Sequence, residues 1–128
     1  MIRRGCDIED WIIKKWGGRF HPDQAVDFQT DHALYEVKSC HMFIKCSGSQ
    51  NKQLTHHFGR FKVLTGNHAK IKKLADKEGK EAKYIFVLII GRHKVVKTVP
   101  WKKINPHINR EANIYNLKLF PVFGEGYL

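Results

Sequence analysis

The residues best suited to chemistry are Asp27, then Glu36-Val37-Lys38 nine positions on. Each charge lies in an otherwise apolar stretch, Val26-Asp27-Phe28 and Tyr35-Glu36-Val37. An ionised carboxylate in such a setting needs a compensating cation, because burying an unpaired charge is costly. Lys38 is one such cation and a divalent metal is another. Two carboxylates hold a hard cation through oxygen ligands. Such a cation polarises a phosphoryl group and lowers the pKa of a bound water. A lysine beside it orients or deprotonates that water and offsets developing charge. Phosphodiester hydrolysis requires these parts. The plainer alternative is an ordinary cross-strand ion pair between Asp27 and Lys38, with Glu36 solvated.

The elements that must position these groups follow from periodicity. Residues 25–29 read as a short strand, Thr30-Asp31-His32 as a hairpin turn, and residues 34–40 as a second strand. Alternation puts Glu36 and Lys38 on one face of that strand and Tyr35 and Val37 on the other. Asp27 is favoured over Asp23 as the acid of the site, since Asp23 sits in the turn His21-Pro22-Asp23. Ahead of the hairpin, residues 7–16 predict a helix with Asp7 as N-cap, ended by Gly17-Gly18, with Trp11 and Trp16 expected in the core.

Residues 47–51 read as a loop, and residues 57–64 are favoured as a strand over a helix because Gly59 weakens a helix. A lysine-rich helix from His68 to about Glu78 follows, with Thr65-Gly66-Asn67 at its cap and Gly79 at its end. The continuous apolar run Tyr84–Ile90 reads as a buried central strand, and residues 94–99 as its neighbour. Trp101 is expected to pack on the sheet, and residues 115–119 suggest a last strand. The order implies an α/β fold, a mixed sheet flanked by helices. Length fits one domain over residues 1–128, with a core of about 7–100 and a C-terminal extension of 101–128.

Charge adds a partner class. The chain has 128 residues, 23 Lys+Arg and 12 Asp+Glu, a net charge of +11. Residues 1–36 hold five basic and seven acidic residues, a net of −2, while residues 37–128 hold eighteen and five, a net of +13. Between Val37 and Ala75 no acid occurs, and Lys45, Lys52, Arg60, Lys62, Lys70 and Lys73 are among the basic residues there. A phosphate-binding surface next to an acidic cluster is consistent when a divalent cation bridges carboxylate to phosphate. The bland alternative is a solvated basic face.

No apolar run is long enough to span a bilayer, and Met1-Ile2-Arg3-Arg4 does not open a secretory signal. Three cysteines without framework spacing point to a reducing, intracellular (cytoplasmic) setting. Cys40-His41, Cys46 and His56-His57 lack zinc-knuckle spacing.

The motif Asp27, Glu36-Val37-Lys38, followed by Ser39, resembles that of the PD-(D/E)xK restriction-like nucleases. The resemblance extends through the element order from the first helix to the strand at 84–90. It implies a restriction-endonuclease-like three-layer fold and Mg²⁺-dependent cleavage of DNA, with Mn²⁺ as a substitute. Asp27, Glu36 and the backbone carbonyl of Val37 would then be metal ligands and Lys38 the catalytic lysine. Glu9 resembles the helix glutamate that many members place at the metal. Gln50 and Gln53 are candidates for the polar residue some members carry after the motif strand. The small size is similar to that of junction resolvases, which work as homodimers; restriction and repair enzymes are also implied. The alternative from another class is a non-catalytic basic nucleic-acid-binding module.

Overall fold

The computed structural model describes residues 6–47 and 54–127. Helix α1 (Cys6–Trp16) comes first, then strands β1 (Phe28–Gln29), β2 (Ala33–His41), β3 (Phe43–Ser47), β4 (Leu54–Phe58) and β5 (Phe61–Leu64). Helix α2 (Thr65–Glu78), β6 (Glu81–Ile90), β7 (His93–Pro100), α3 (Trp101–Ile104), β8 (Ile114–Leu117) and α4 (Phe120–Phe123) complete the order. The main sheet runs β1-β2-β6-β7. Its β2–β6 pair is parallel, and its other two pairs are antiparallel. The chain is therefore α/β, with a mixed open sheet flanked by helices.

Strand β6 explains the layering. Its residues are apolar at every position from Tyr84 to Ile90 because both of its faces are covered. Ile85 and Val87 pack with Ile12 of α1, Phe28, Tyr35 and Val37. Tyr84, Phe86 and Leu88 point the other way, to Phe61 and Val63 of β5 and to Ile104, Leu117, Leu119 and Val122. Beneath α2, Ile71 and Ala75 meet Val26, Leu34 and Ala82. The stretch after residue 100, expected as an extension, thus supplies part of the largest core cluster. It also supplies β8, which pairs antiparallel with β5.

Several boundaries differ from expectation for identifiable reasons. The strand expected over residues 57–64 is divided between β4 and β5. Gly59 lies between them, and its amide donates to the Met42 carbonyl at 2.8 Å. A Cβ at position 59 would collide with the His41 carbonyl oxygen, so the chain passes too close to β2 for any other residue. Strand β3 and its hairpin with β4 were not anticipated. The strand expected over residues 25–29 reduces to β1, although Asp27 keeps one ladder bond, N to the Tyr35 carbonyl at 2.9 Å. Helix α2 begins at Thr65, whose hydroxyl donates to the Ala112 carbonyl at 2.7 Å instead of capping the helix. Trp11 is 42% exposed, not a core residue, and the Lys15 ammonium lies 5.0 Å from its ring centroid. Trp16 is half-buried and packs against the α1 side of the core. No helix among the described residues is long and apolar enough to cross a membrane.

Candidate functional site

The hairpin sets the geometry. Thr30 N donates to the Ala33 carbonyl at 2.9 Å, which closes the turn and fixes Phe28 opposite Tyr35. Strand β1 has no residue opposite Val37, and the Asp27 carboxylate takes over there: Val37 N donates to Asp27 Oδ2 at 2.6 Å. Within a strand, a residue's N–H and C=O point to the same side. The Val37 carbonyl therefore faces the edge that Asp27 occupies.

Alternation along β2 turns Tyr35 and Val37 toward α1, and Glu36 and Lys38 the other way. Glu36 is only 4% exposed. Its Oε1 accepts from Lys38 Nζ at 2.8 Å. Its Oε2 is buried with no hydrogen-bond partner among the described residues. Burial raises the Glu36 pKa above the ordinary carboxylate value; Lys38 opposes this and the Asp27 charge adds to it. The expected plain alternative, Lys38 paired to Asp27 with Glu36 in solvent, is not what forms: Lys38 pairs to a buried Glu36.

Glu9 and Asp10 of α1, Asp23 and Asp27 share a cleft of about 690 Å³ floored by Ile13 and Val26. Glu9 and Asp27 thus meet in one cavity, while Glu36 does not line it. Asp23 has local duties. It accepts from Ala25 N at 2.9 Å and pairs with Lys70 at 3.2 Å. Those contacts, the Ala25 bond first, hold its pKa below the usual carboxylate value. The loop carrying Asp23 is pinned by His21, which is buried. His21 Nδ1 accepts from Asp23 N at 3.0 Å, so Nε2 is the donor to Glu78 Oε2 at 2.9 Å.

The basic residues fall into three groups. Arg60 and Lys73 are exposed, as is Lys62 on the outward face of β5. Lys70 is exposed but held by Asp23. Lys45 lies on β3, while Lys52, Gln50 and Gln53 lie outside the described residues.

Sequence reasoning missed a buried polar chain beside Glu36. Tyr84 is the register partner of Glu36 across β2 and β6. Its hydroxyl lies 2.6 Å from His68 Nδ1, and His68 Nε2 lies 3.0 Å from Asn105 Oδ1. An amide oxygen only accepts, so His68 Nε2 donates to Asn105 and Nδ1 accepts from the tyrosine. Arg110 Nη2 also donates to Asn105 Oδ1, at 2.6 Å. Burial pushes the Tyr84 hydroxyl up, with the Glu36 charge contributing, and pushes His68 down. No local pattern marks this chain, whose members lie up to 42 residues apart; only the place of His68 on the apolar stripe of α2 with Ile71 and Ala75 hints at it. Cys40 is half-buried and its thiol is pushed up to about 12 by burial, so it stays protonated and unreactive.

A hard cation fits this donor set in part. Glu36 Oε2 is an orphaned buried acceptor, Asp27 is a second carboxylate, and the Val37 carbonyl faces the same edge. These are oxygen donors, the type Mg²⁺ takes, with water completing its shell. Among the described residues no group of three or more His, Cys, Asp or Glu side chains is gathered closely enough to hold a metal by itself. Comparison with protein-family models, curated proteins and solved structures finds no match.

Proposed function

We propose that the chain is a metal-dependent DNA endonuclease with a restriction-endonuclease-like fold, acting as a homodimer in which each copy cuts one strand. The observation that carries this reading is Glu36, a carboxylate buried in the sheet with one oxygen held by Lys38 and the other unpartnered among the described residues. An uncompensated oxygen there is costly, and a site for a cation accounts for it.

Asp27, Glu36 and the Val37 carbonyl would hold Mg²⁺ or Mn²⁺, with Glu9 at the same cleft. The metal, when bound, supplies polarisation of the scissile phosphate and a more acidic water. Lys38 holds Glu36 in place and presents an ammonium where a water proton and developing phosphate charge can be handled. Asp27 fixes the middle of β2 through the Val37 amide. Arg60, Lys62 and Lys73, with Lys45 and Lys52, supply phosphate contacts that position DNA without reading its sequence. Contacts to phosphate alone suit substrates recognised by shape, such as junctions or flaps.

The test is incubation of plasmid, junction and flap DNA with Mg²⁺ or Mn²⁺, comparing the unmodified protein with Asp27→Ala and Lys38→Ala. Cleavage that needs metal and is lost in both variants supports the enzyme. A second reading is a basic nucleic-acid-binding module without catalysis, since Glu36–Lys38 can also stand as a structural buried ion pair. DNA binding with no cleavage of any substrate would favour that module.

A further inference from the structure

A second cavity, of about 230 Å³, opens where β6 begins and β7 ends. Trp101 forms one wall, Ala82 and Pro100 add apolar surface, and Lys72, Lys80 and Lys102 surround it. Glu81 is the one acid on its lining, and that carboxylate is paired with Lys83 at 3.4 Å. None of these residues lines the acidic cleft.

The tryptophan is held rigidly. Its indole N–H donates to the His68 carbonyl at 2.7 Å, and its ring stacks on the His68 imidazole with centroids 4.5 Å apart. Two of the lysines are also oriented. Lys80 Nζ donates to Gln29 Oε1 at 2.7 Å, and Lys72 pairs with Asp76 at 2.6 Å while lying 5.9 Å from the Trp101 ring centroid. An aromatic wall anchored by a hydrogen bond and a ring stack, in a cavity lined by three lysines, combines two kinds of recognition. A flat π-system stacks on the indole, and an anion attached to it meets the lysines. The volume lies below the roughly 300–1,000 Å³ of a pocket that engulfs a whole small molecule. It suits one ring with its charged group, the remainder of the ligand staying in solvent.

We infer that this cavity binds a single nucleotide unit, its base against Trp101 and its phosphate among Lys72, Lys80 and Lys102. The inference does not depend on cleavage at Asp27, Glu36 and Lys38, and holds equally for a protein that only binds nucleic acid. A free nucleotide and a nucleotide within a strand share this chemistry.

The test is titration of the ¹⁵N-labelled full chain, without divalent metal, following the three tryptophan indole N–H signals. The Trp101 signal is assigned by its loss in Trp101→Phe. The probes are adenosine monophosphate, a short single-stranded oligonucleotide, adenosine and inorganic phosphate. Adenosine monophosphate or the oligonucleotide should shift the Trp101 indole and leave those of Trp11 and Trp16 in place. Response to both identifies a site open to free nucleotides, and response to the oligonucleotide alone identifies a strand-bound unit. Lys102→Ala, at an exposed position, and Lys80→Ala, which also removes the bond to Gln29, should each weaken that response by about fivefold, and adenosine or phosphate alone should bind about tenfold more weakly. An unmoved Trp101 signal with both nucleotide probes would overturn the inference. So would shifts that persist unchanged in Lys102→Ala and Lys80→Ala, or phosphate binding as tightly as the nucleotide.

Discussion

The cleft beside α1 and the cavity beside α3 are both concave and both charged, but they solve the cost of charge differently. In and beside the cleft three carboxylates are tied into the backbone or buried: Asp27 caps the Val37 amide, Asp23 holds a turn, and adjacent Glu36 is almost inaccessible. Around the cavity the lysines stay at the surface and lean on partners that water can replace. A buried acid with an oxygen unpartnered among the described residues is expensive and therefore informative. Surface lysines are cheap, and they carry information only when an ordered aromatic group stands among them. The contrast predicts large, all-or-none effects at Asp27, Glu36 and its partner Lys38, and graded ones wherever surface lysines act.

Lys38→Ala should show the largest effect. Cleavage should fall by about 10³-fold or more, because the group that holds Glu36 and offsets developing charge is gone. DNA affinity, measured in parallel by fluorescence anisotropy, should change only fewfold. Equal losses in binding and cleavage would make Lys38 one more phosphate contact and erase the distinction between the two regions.

Asp27 and Asp23 divide the acidic cleft itself. Asp27→Ala leaves the Val37 amide without its acceptor and should cost about 1–3 kcal/mol in urea unfolding. Asp27→Asn keeps an amide oxygen able to accept that bond, so it should cost less while still removing the charge. Both should abolish Mn²⁺ binding followed by calorimetry. Asp23→Asn should leave Mn²⁺ binding intact, since Asp23 is committed to Ala25 and Lys70. A loss of Mn²⁺ affinity in Asp23→Asn equal to that in Asp27→Asn would reassign the ligand.

That the choice between these two aspartates could be posed from sequence reflects what period-two alternation conveys. It placed Glu36 and Lys38 on one face, and the unbroken apolar run marked β6 as covered on both sides. Alternation is silent on depth: the apolar neighbours Tyr35 and Val37 raised the case of a buried Glu36 with Lys38 compensating, but nothing local decided between that and Lys38 paired to Asp27 with Glu36 in solvent. Nor could alternation reveal the pairing of β5 with β8, far apart in the chain, or the path Tyr84–His68–Asn105, which exists only once α2 packs on β6. The β3–β4 hairpin was missed because Lys45-Cys46-Ser47 and Thr55-His56-His57 carry no clear apolar alternation. Trp11 misled because a large aromatic side chain on a helix is usually core, whereas here its ring lies beside Lys15 at the surface.

The buried path makes a smaller, pH-dependent prediction. Burial depresses the His68 pKa in the folded state below its ordinary 6.5. Between that folded value and 6.5 the unfolded chain binds the extra proton. Stability from this group is therefore complete above pH 6.5 and declines as pH falls. Relative to His68→Gln, the unmodified protein should lose stability in urea unfolding as pH falls through 6.5. Parallel pH curves for the two proteins would mean that His68 takes up its proton equally in the folded and unfolded chain.

The mildest effects should come from the basic surface, and they sharpen the distinction between lysines that are spent and lysines that are not. Lys70 is held by Asp23, and a phosphate must displace that carboxylate before it gains the lysine. Arg60 and Lys62 are exposed on and beside β5. If all three met phosphate equally, each alanine variant would lower the slope of log affinity against log salt by about one. The ion pair predicts otherwise: Arg60→Ala and Lys62→Ala should each lower the slope by about one, and Lys70→Ala by less. Asp23→Asn should then raise affinity at low salt, because it frees Lys70 for phosphate. Equal slopes for Lys70→Ala and Arg60→Ala would show that DNA takes Lys70 away from Asp23. The acidic cleft and the basic surface would then exchange a partner on binding instead of acting separately.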